Sequence, residues 1–156
     1  MSVAFRRESD DEHLEPKFEL PIPPGPNWVT ARGLRLTREK VEGLEAVDLS
    51  DMEEEAAKKV RRDLRYWRTR LATAQLQPAP DGDAIAFGAR VTYRLNGREN
   101  SVAIVGDDEA DPHKGRISFT SPLARAMMEA QVGERIDFGG KAEAIEILAI
   151  TAIEEV

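Results

Sequence analysis

Two groups of carboxylates are where this chain could do chemistry. Asp48 and Asp51, separated by Leu49 and Ser50, form the first. Carboxylates are hard oxygen donors suited to magnesium, and a pair of them leaves coordination positions open for water and phosphate. A structural explanation stands beside this one. Ser50 and Glu53 have the spacing of a capping box, and acids in the first turn of a helix are stabilised by its dipole. Both readings stay open. The second group is denser: Asp107, Asp108, Glu109 and Asp111 lie within the stretch 107–111, with Pro112 and Gly115 as punctuation.

Other chemistries lack their residues. There is no cysteine, which excludes disulfides and thiolate reactions. His13 and His113 are isolated, one near the start and one in a loop, with no second ligand at metal spacing. The acids from Asp48 to Glu53 lack the glycine and the spacing of a calcium-binding EF-hand. No glycine-rich phosphate loop, Ser-His-Asp order or HExxH helix is present. A net charge of -7 argues against tight duplex binding through phosphates and favours a basic protein partner or a bound cation. With 41% hydrophobic and 33% charged residues, a modest core and a large solvated surface are expected. No apolar run approaches membrane-spanning length, and the start MSVAFRRESDDEH has no apolar signal region, so a cytoplasmic monomer with no membrane contact is expected.

The elements that must position these acids follow from periodicity and punctuation. Residues 1–28 read as a tail holding five of the nine prolines, Pro16, Pro21, Pro23, Pro24 and Pro26, a density that blocks helices and ladders. Phe18, Leu20, Ile22 and Trp28 could lie extended along a groove. Residues 29–75 read as a helical hairpin, a short antiparallel coiled coil. Thr30 caps its first helix, which runs to about Ala46 with a seam of Leu34, Thr37, Val41 and Leu44. Its second helix spans Asp51 to about Gln75, with Val60, Leu64, Trp67, Leu71 and Ala74 at a/d spacing. The outer face is basic, with Lys58, Lys59, Arg61, Arg62, Arg65, Arg68 and Arg70. Residues 76–83, rich in proline and glycine, form a linker.

The domain 84–156 reads as an antiparallel sheet crossed by one short helix. Ala89, Val91, Tyr93 and Leu95 alternate with polar residues, Asn96-Gly97 makes a hairpin turn, and Arg98 to Val105 returns as the paired strand. A short apolar run from Ile117 to Phe119 follows the acidic loop. Ser121 then caps a helix over Leu123 to Ala130, with Pro122 at its first position. Arg135 to Phe138 and Ala142 to Ile153 form another hairpin about Gly139-Gly140, and the last strand is expected to be buried on both faces.

The stretch from Ile104 to Met127 resembles the C-terminal domain of the Gre transcript-cleavage factors. The shared pattern is IVG at a strand end, then DEAD, KG-x-IS and SP-x-ARA. Here it is Ile104-Val105-Gly106, Asp108 to Asp111, Lys114 to Ser118, and Ser121 to Ala126. Asp48-Leu49-Ser50-Asp51 is similar to the acidic D-x-S-E tip motif of that family, with Asp51 where the family has glutamate. Met52 to Glu55 replace the family's Asn-Ala-x-Tyr continuation.

The resemblance implies an α+β protein: a shortened N-terminal helical hairpin followed by an FKBP-like domain that binds bacterial RNA polymerase at its secondary channel. It implies docking through Thr120, Ser121, Pro122, Leu123 and Ala124, with Asp108 and Asp111 nearby and Thr120 where the family carries an acid. It also implies that Asp48 and Asp51 help hold a magnesium ion shared with the polymerase, the chain having no cofactor of its own, and that nascent RNA or DNA lies within indirect reach. The first helical arm, about 16 residues or roughly 24 Å, is shorter than the family's. Polymerase binding and regulation of elongation are therefore the firmer implication, and cleavage of backtracked RNA the further one. The alternatives are a non-cleaving regulator of the Rnk type and an FKBP-like prolyl isomerase. For the isomerase, Phe87, Tyr93, Phe119 and Phe138 are expected to pack the core instead of lining a pocket.

Overall fold

The alternating residues Ala89, Val91, Tyr93 and Leu95 lie in a strand whose inward positions are buried: Ala89 and Val91 are 0% exposed and Tyr93 is 5% exposed. The computed structural model describes residues 19–153, so the expectations for His13, Pro16 and Phe18 lie outside the described residues. The architecture is α+β. In chain order the elements are β1 (Trp28–Val29), α1 (Ala31–Glu45), α2 (Glu54–Thr73), β2 (Gln75–Leu76), β3 (Ala89–Leu95), β4 (Arg98–Val105), a 3-10 turn (Pro112–Lys114), β5 (Arg116–Ser118), α3 (Pro122–Met127), β6 (Arg135–Phe138) and β7 (Lys141–Ala152). Residues 20–27 carry no helix or strand, as their prolines require. No helix among the described residues is long and apolar enough to cross a membrane.

Two compact units are present. Among the described residues, the first combines 19–25 with Thr37–Thr73. Within it, Val41 and Ala57 are buried at 6% and 5% exposure, and Thr37 at 4%. The expected seam of α2 is half-buried at Val60, Leu64, Trp67 and Leu71. Across the helices, the Arg68 guanidinium donates to Glu45 at 2.9 Å and the Lys40 ammonium stands 5.8 Å from the centre of the Trp67 ring. The expected basic face needs one correction. Lys58, Lys59, Arg61, Arg65 and Arg68 are exposed, but Arg70 is 2% exposed and belongs to the interior.

Among the described residues, the second unit comprises Pro26–Leu36 and 74–153. Its main sheet has the order β5-β4-β3-β7-β6. Asn96 and Gly97 turn β3 into β4 with φ of 54° and 77°, the left-handed pair that a two-residue hairpin demands. β7 pairs antiparallel with β3 on one side and with β6 on the other. It is fully buried at Ile145 and Ile147 and only partly buried from Leu148 to Ile150, so burial on both faces is incomplete.

The sheet is mixed, not purely antiparallel. β5 runs parallel to β4, with Ala103 opposite Arg116, Ile104 opposite Ile117 and Val105 opposite Ser118. The cause lies in the loop 106–115. It does not fold into a hairpin; it carries the chain back along β4, and parallel pairing needs such a crossover.

The core is formed by Ile85, Phe87, Val91, Tyr93, Val102, Ile104, Phe119, Met127, Ile145 and Ile147. Each fully buried aliphatic side chain contributes about 1.5–3 kcal/mol relative to exposure. Phe87 and Phe119 are buried as expected, although both sit in turns outside the strands. Trp28 joins them, stacked on Phe119 with ring centres 4.8 Å apart and edge-on to Phe87 at 5.8 Å. A second, two-stranded sheet is formed by β1 and β2, which run parallel with Trp28 opposite Gln75. Trp28 therefore belongs to an ordered strand and not to a tail.

Candidate functional site

The residues that link α1 and α2 are held by a local turn. The Asp48 carboxylate accepts two hydrogen bonds at Oδ1, from the Ser50 backbone N–H at 3.0 Å and from the Ser50 hydroxyl at 2.7 Å. The backbone donor, and then the hydroxyl, hold the Asp48 carboxyl below the ordinary aspartate range. This arrangement replaces the expected capping box. Ser50 is spent on Asp48, and α2 begins only at Glu54, where the Glu53 carbonyl accepts from Ala57 at 2.9 Å. Glu54 and Glu55 do occupy the first turn, as the dipole favours.

Asp48 and Asp51 are both exposed. Among the described residues, no three His, Cys, Asp or Glu side chains are grouped to hold a metal ion. As donors the two acids fit magnesium only as part of a coordination shell completed from another molecule.

The second group of residues surrounds the turn 118–122. Ser118 Oγ donates to Asp107 Oδ1 at 2.5 Å, and Thr120 Oγ1 donates to the same oxygen at 3.1 Å. Ser118 Oγ accepts from the Thr120 backbone N–H at 3.1 Å, and the Ser118 carbonyl accepts from the Ser121 N–H at 3.0 Å. Ser121 then caps α3, its hydroxyl accepting from the Ala124 N–H at 3.3 Å with Pro122 at the first helical position. α3 ends at Met127, three residues before the expected Ala130.

This turn leaves Pro122 exposed and Thr120, Ser121 and Leu123 half-buried. Ala124 is 0% exposed and packs in the core beside Met127, so it supports the turn from behind and offers no surface. Asp108 and Asp111 are half-buried; the Asp111 backbone bridges Arg116, closing the base of the acidic loop.

Glu109 has a different role from its acidic neighbours. Its side chain is 5% exposed and accepts from Thr30 Oγ1 at 2.6 Å and from the Arg32 guanidinium at 3.0 Å. Thr30 in turn caps α1 as expected, its hydroxyl accepting from the Gly33 N–H at 3.0 Å. The start of α1 is thus bonded to the acidic loop within the second unit. Sequence periodicity carried no sign of this contact. Two glycines could have hinted at it: a Cβ on Gly33 would stand 2.8 Å from Glu109 Oε1, and one on Gly106 would stand 2.2 Å from the Trp28 carbonyl oxygen.

Residues 79–155 match the sequence profile of the family described as transcription elongation factor, GreA/GreB, C-term. Over these residues the chain is similar to the C-terminal domain of that family. The match takes in the acidic loop, the turn 118–122 and α3. The chain is also similar to transcription elongation factor GreA of Sinorhizobium medicae and of Rhizobium meliloti, each 45% identical over 73 residues. These alignments cover 44% of this chain and 46% of each relative, so the chain spans just under half the length of the curated relatives it matches. Among solved structures, GreA factor homolog 1 of Thermus thermophilus aligns over 82% of this chain and 100% of its own, at 22% identity and a TM-score of 0.38. A GreA/GreB factor from Nitrosomonas europaea aligns over 80% of this chain and 98% of its own, at 18% identity and a TM-score of 0.39.

Proposed function

We propose that this chain is a transcription elongation factor of the GreA/GreB type that binds bacterial RNA polymerase at its secondary channel and regulates elongation as a partner of the enzyme, not as an enzyme itself. The observation that carries this reading is the family match over residues 79–155, which includes the turn at Ser121-Pro122. In this reading the second unit is an FKBP-like docking module. Thr120, Ser121, Pro122 and Leu123 touch the polymerase, Asp108 and Asp111 face basic groups on it, and Ala124 braces the turn. The helices α1 and α2 form a short antiparallel hairpin whose tip presents Asp48 and Asp51 to the channel.

The test is capture of core polymerase by the intact chain at low salt. Pro122→Asp is expected to lose the complex while keeping the thermal transition. A chain that recovers no polymerase removes the proposal.

Cleavage of backtracked RNA is the further step. A magnesium ion held jointly by the tip acids and the polymerase would activate water for hydrolysis. The Ser50 turn supports this, because it favours the charged form of Asp48 and fixes one of its oxygens while leaving the other for a ligand. Stalled backtracked complexes with magnesium should shorten their RNA on addition of the chain, and Asp48→Ala with Asp51→Ala should abolish that.

A non-cleaving regulator of the Rnk type is the second reading. The length of α1 favours it: 15 residues, or roughly 22 Å at 1.5 Å per residue, is a short reach toward a catalytic metal. No shortening of the RNA despite full binding selects this reading. The prolyl isomerase reading has less support, because Phe87, Tyr93 and Phe119 are buried in the core. A peptide isomerisation assay tests it directly.

A further inference from the structure

We propose that Asp107 is a positioning residue for the docking turn: its carboxylate holds Ser118 and Thr120, and through them sets Ser121-Pro122 for contact with the polymerase. The inference rests on the docking reading given above and goes beyond it in naming what shapes the contact.

The geometry has three parts. First, one oxygen, Asp107 Oδ1, accepts from both hydroxyls, at 2.5 Å from Ser118 and 3.1 Å from Thr120. The hydroxyls themselves stand 2.8 Å apart, so a single acceptor gathers the two side chains that flank Phe119. Second, Ser118 Oγ also accepts from the Thr120 N–H at 3.1 Å, so the side-chain cluster fixes the backbone of the turn. Third, the two ends of the cluster are anchored. Asp107 follows the buried end of β4 and Gly106, and the Phe119 N–H donates to the Val105 carbonyl at 2.9 Å. The turn is thus tied across the parallel β4–β5 pair to the loop that carries the acids.

Asp107 lies 13 residues before Thr120 in sequence, and its carboxylate is 3.1 Å from the Thr120 hydroxyl. Charged acceptors make stronger hydrogen bonds than neutral ones, and clusters sharing one atom act as a unit.

The experiment measures the affinity of the intact chain for core polymerase and, in the same variants without polymerase, amide hydrogen exchange over residues 118–124. Asp107→Ala is expected to weaken binding roughly tenfold, the scale of a lost charged hydrogen bond, and to speed exchange at Thr120 and Ser121. Asp107→Asn keeps an acceptor oxygen for both hydroxyls and is expected to recover most of the affinity and the protection. Ser118→Ala, a residue outside the proposed contact, is expected to reproduce the loss, and the double variant Asp107→Ala with Ser118→Ala to lose little more than either alone.

If Asp107→Asn binds as poorly as Asp107→Ala, the charge touches the partner directly and the positioning role is overturned. If the parent binds and neither Asp107→Ala nor Ser118→Ala changes affinity, the inference fails and the docking reading stands. If the parent does not bind polymerase, the docking reading falls and the inference falls with it.

Discussion

Arg32, in the first turn of α1, lies 3.0 Å from the carboxylate of Glu109 in the acidic loop. The pair is uneven: the Glu109 side chain is 5% exposed, and that of Arg32 23%. A near-buried carboxylate deprived of its cation is costlier than one replaced by a neutral group that keeps its remaining hydrogen bond. Arg32→Ala should therefore destabilise the chain more than Glu109→Gln, in which the Thr30 hydroxyl retains an acceptor. A loss of about 1–3 kcal/mol is expected for Arg32→Ala and a smaller one for Glu109→Gln, read from urea unfolding midpoints. The reverse order would show that the carboxylate does not need the guanidinium.

The two glycines of α1 should respond oppositely to alanine. In an open helix position the exchange gains about 1 kcal/mol from propensity. Gly43 has nothing within 4 Å of its would-be Cβ, so Gly43→Ala should show that gain. At Gly33 the Cβ would meet Glu109 Oε1 at 2.8 Å, and that oxygen is held by Thr30. Gly33→Ala should forfeit the gain and become neutral or destabilising. Thermal melts of the two single variants make the comparison.

Gly106 is tighter still. A Cβ there would lie 2.2 Å from the Trp28 carbonyl oxygen, a backbone atom that moves only with its strand. Gly106→Ala should cost about 3 kcal/mol and release β1 from its place over the loop. Loss of exchange protection at Gln75 and Gln77, whose amides donate to Asn27 and Val29, would report that release.

Asp48 should titrate below the ordinary aspartate range, because the Ser50 N–H and hydroxyl both stabilise its charged form. Ser50→Ala removes the smaller of these two influences, so the value should rise part of the way and not fully. A carboxyl depressed in the folded state contributes stability above its unfolded pKa, and the contribution fades as pH falls through the folded value. NMR titration of the Asp48 carboxyl carbon in both proteins is the check. Equal values would mean that the hydroxyl bond is absent in solution.

Much of the second unit was legible in the chain because its order is local. Alternation at Ala89 to Leu95, the Asn96-Gly97 turn, the return over Arg98 to Val105 and the cap at Ser121 each depend on residues only a few positions apart. What was missed depends on distance along the chain. β1 and β2 have two residues each, too few for a pattern, and they pair Trp28 with Gln75. β5 has only three residues, and nothing in Arg116 to Ser118 says which way it runs beside β4. Arg70 sits at a position that helical periodicity assigns outward, yet it is buried. At the candidate site the motif residues were recognisable one by one. Their wiring was not: Asp107 meets Ser118 and Thr120, and Glu109 meets Thr30 and Arg32, at separations with no periodic signature. Asp48 shows the same limit at short range, since Ser50 serves both an N-cap and an Asx turn equally well by type.

The chain has only two tryptophans, and they fall in different units: Trp28 against Phe119 and Phe87 in the second, Trp67 beside Tyr66 in the first. Each unit consequently carries its own optical probe. With Trp67→Phe the remaining emission follows the sheet alone, and with Trp28→Phe it follows the helices, so a single fluorimeter can tell whether the halves melt together or in turn.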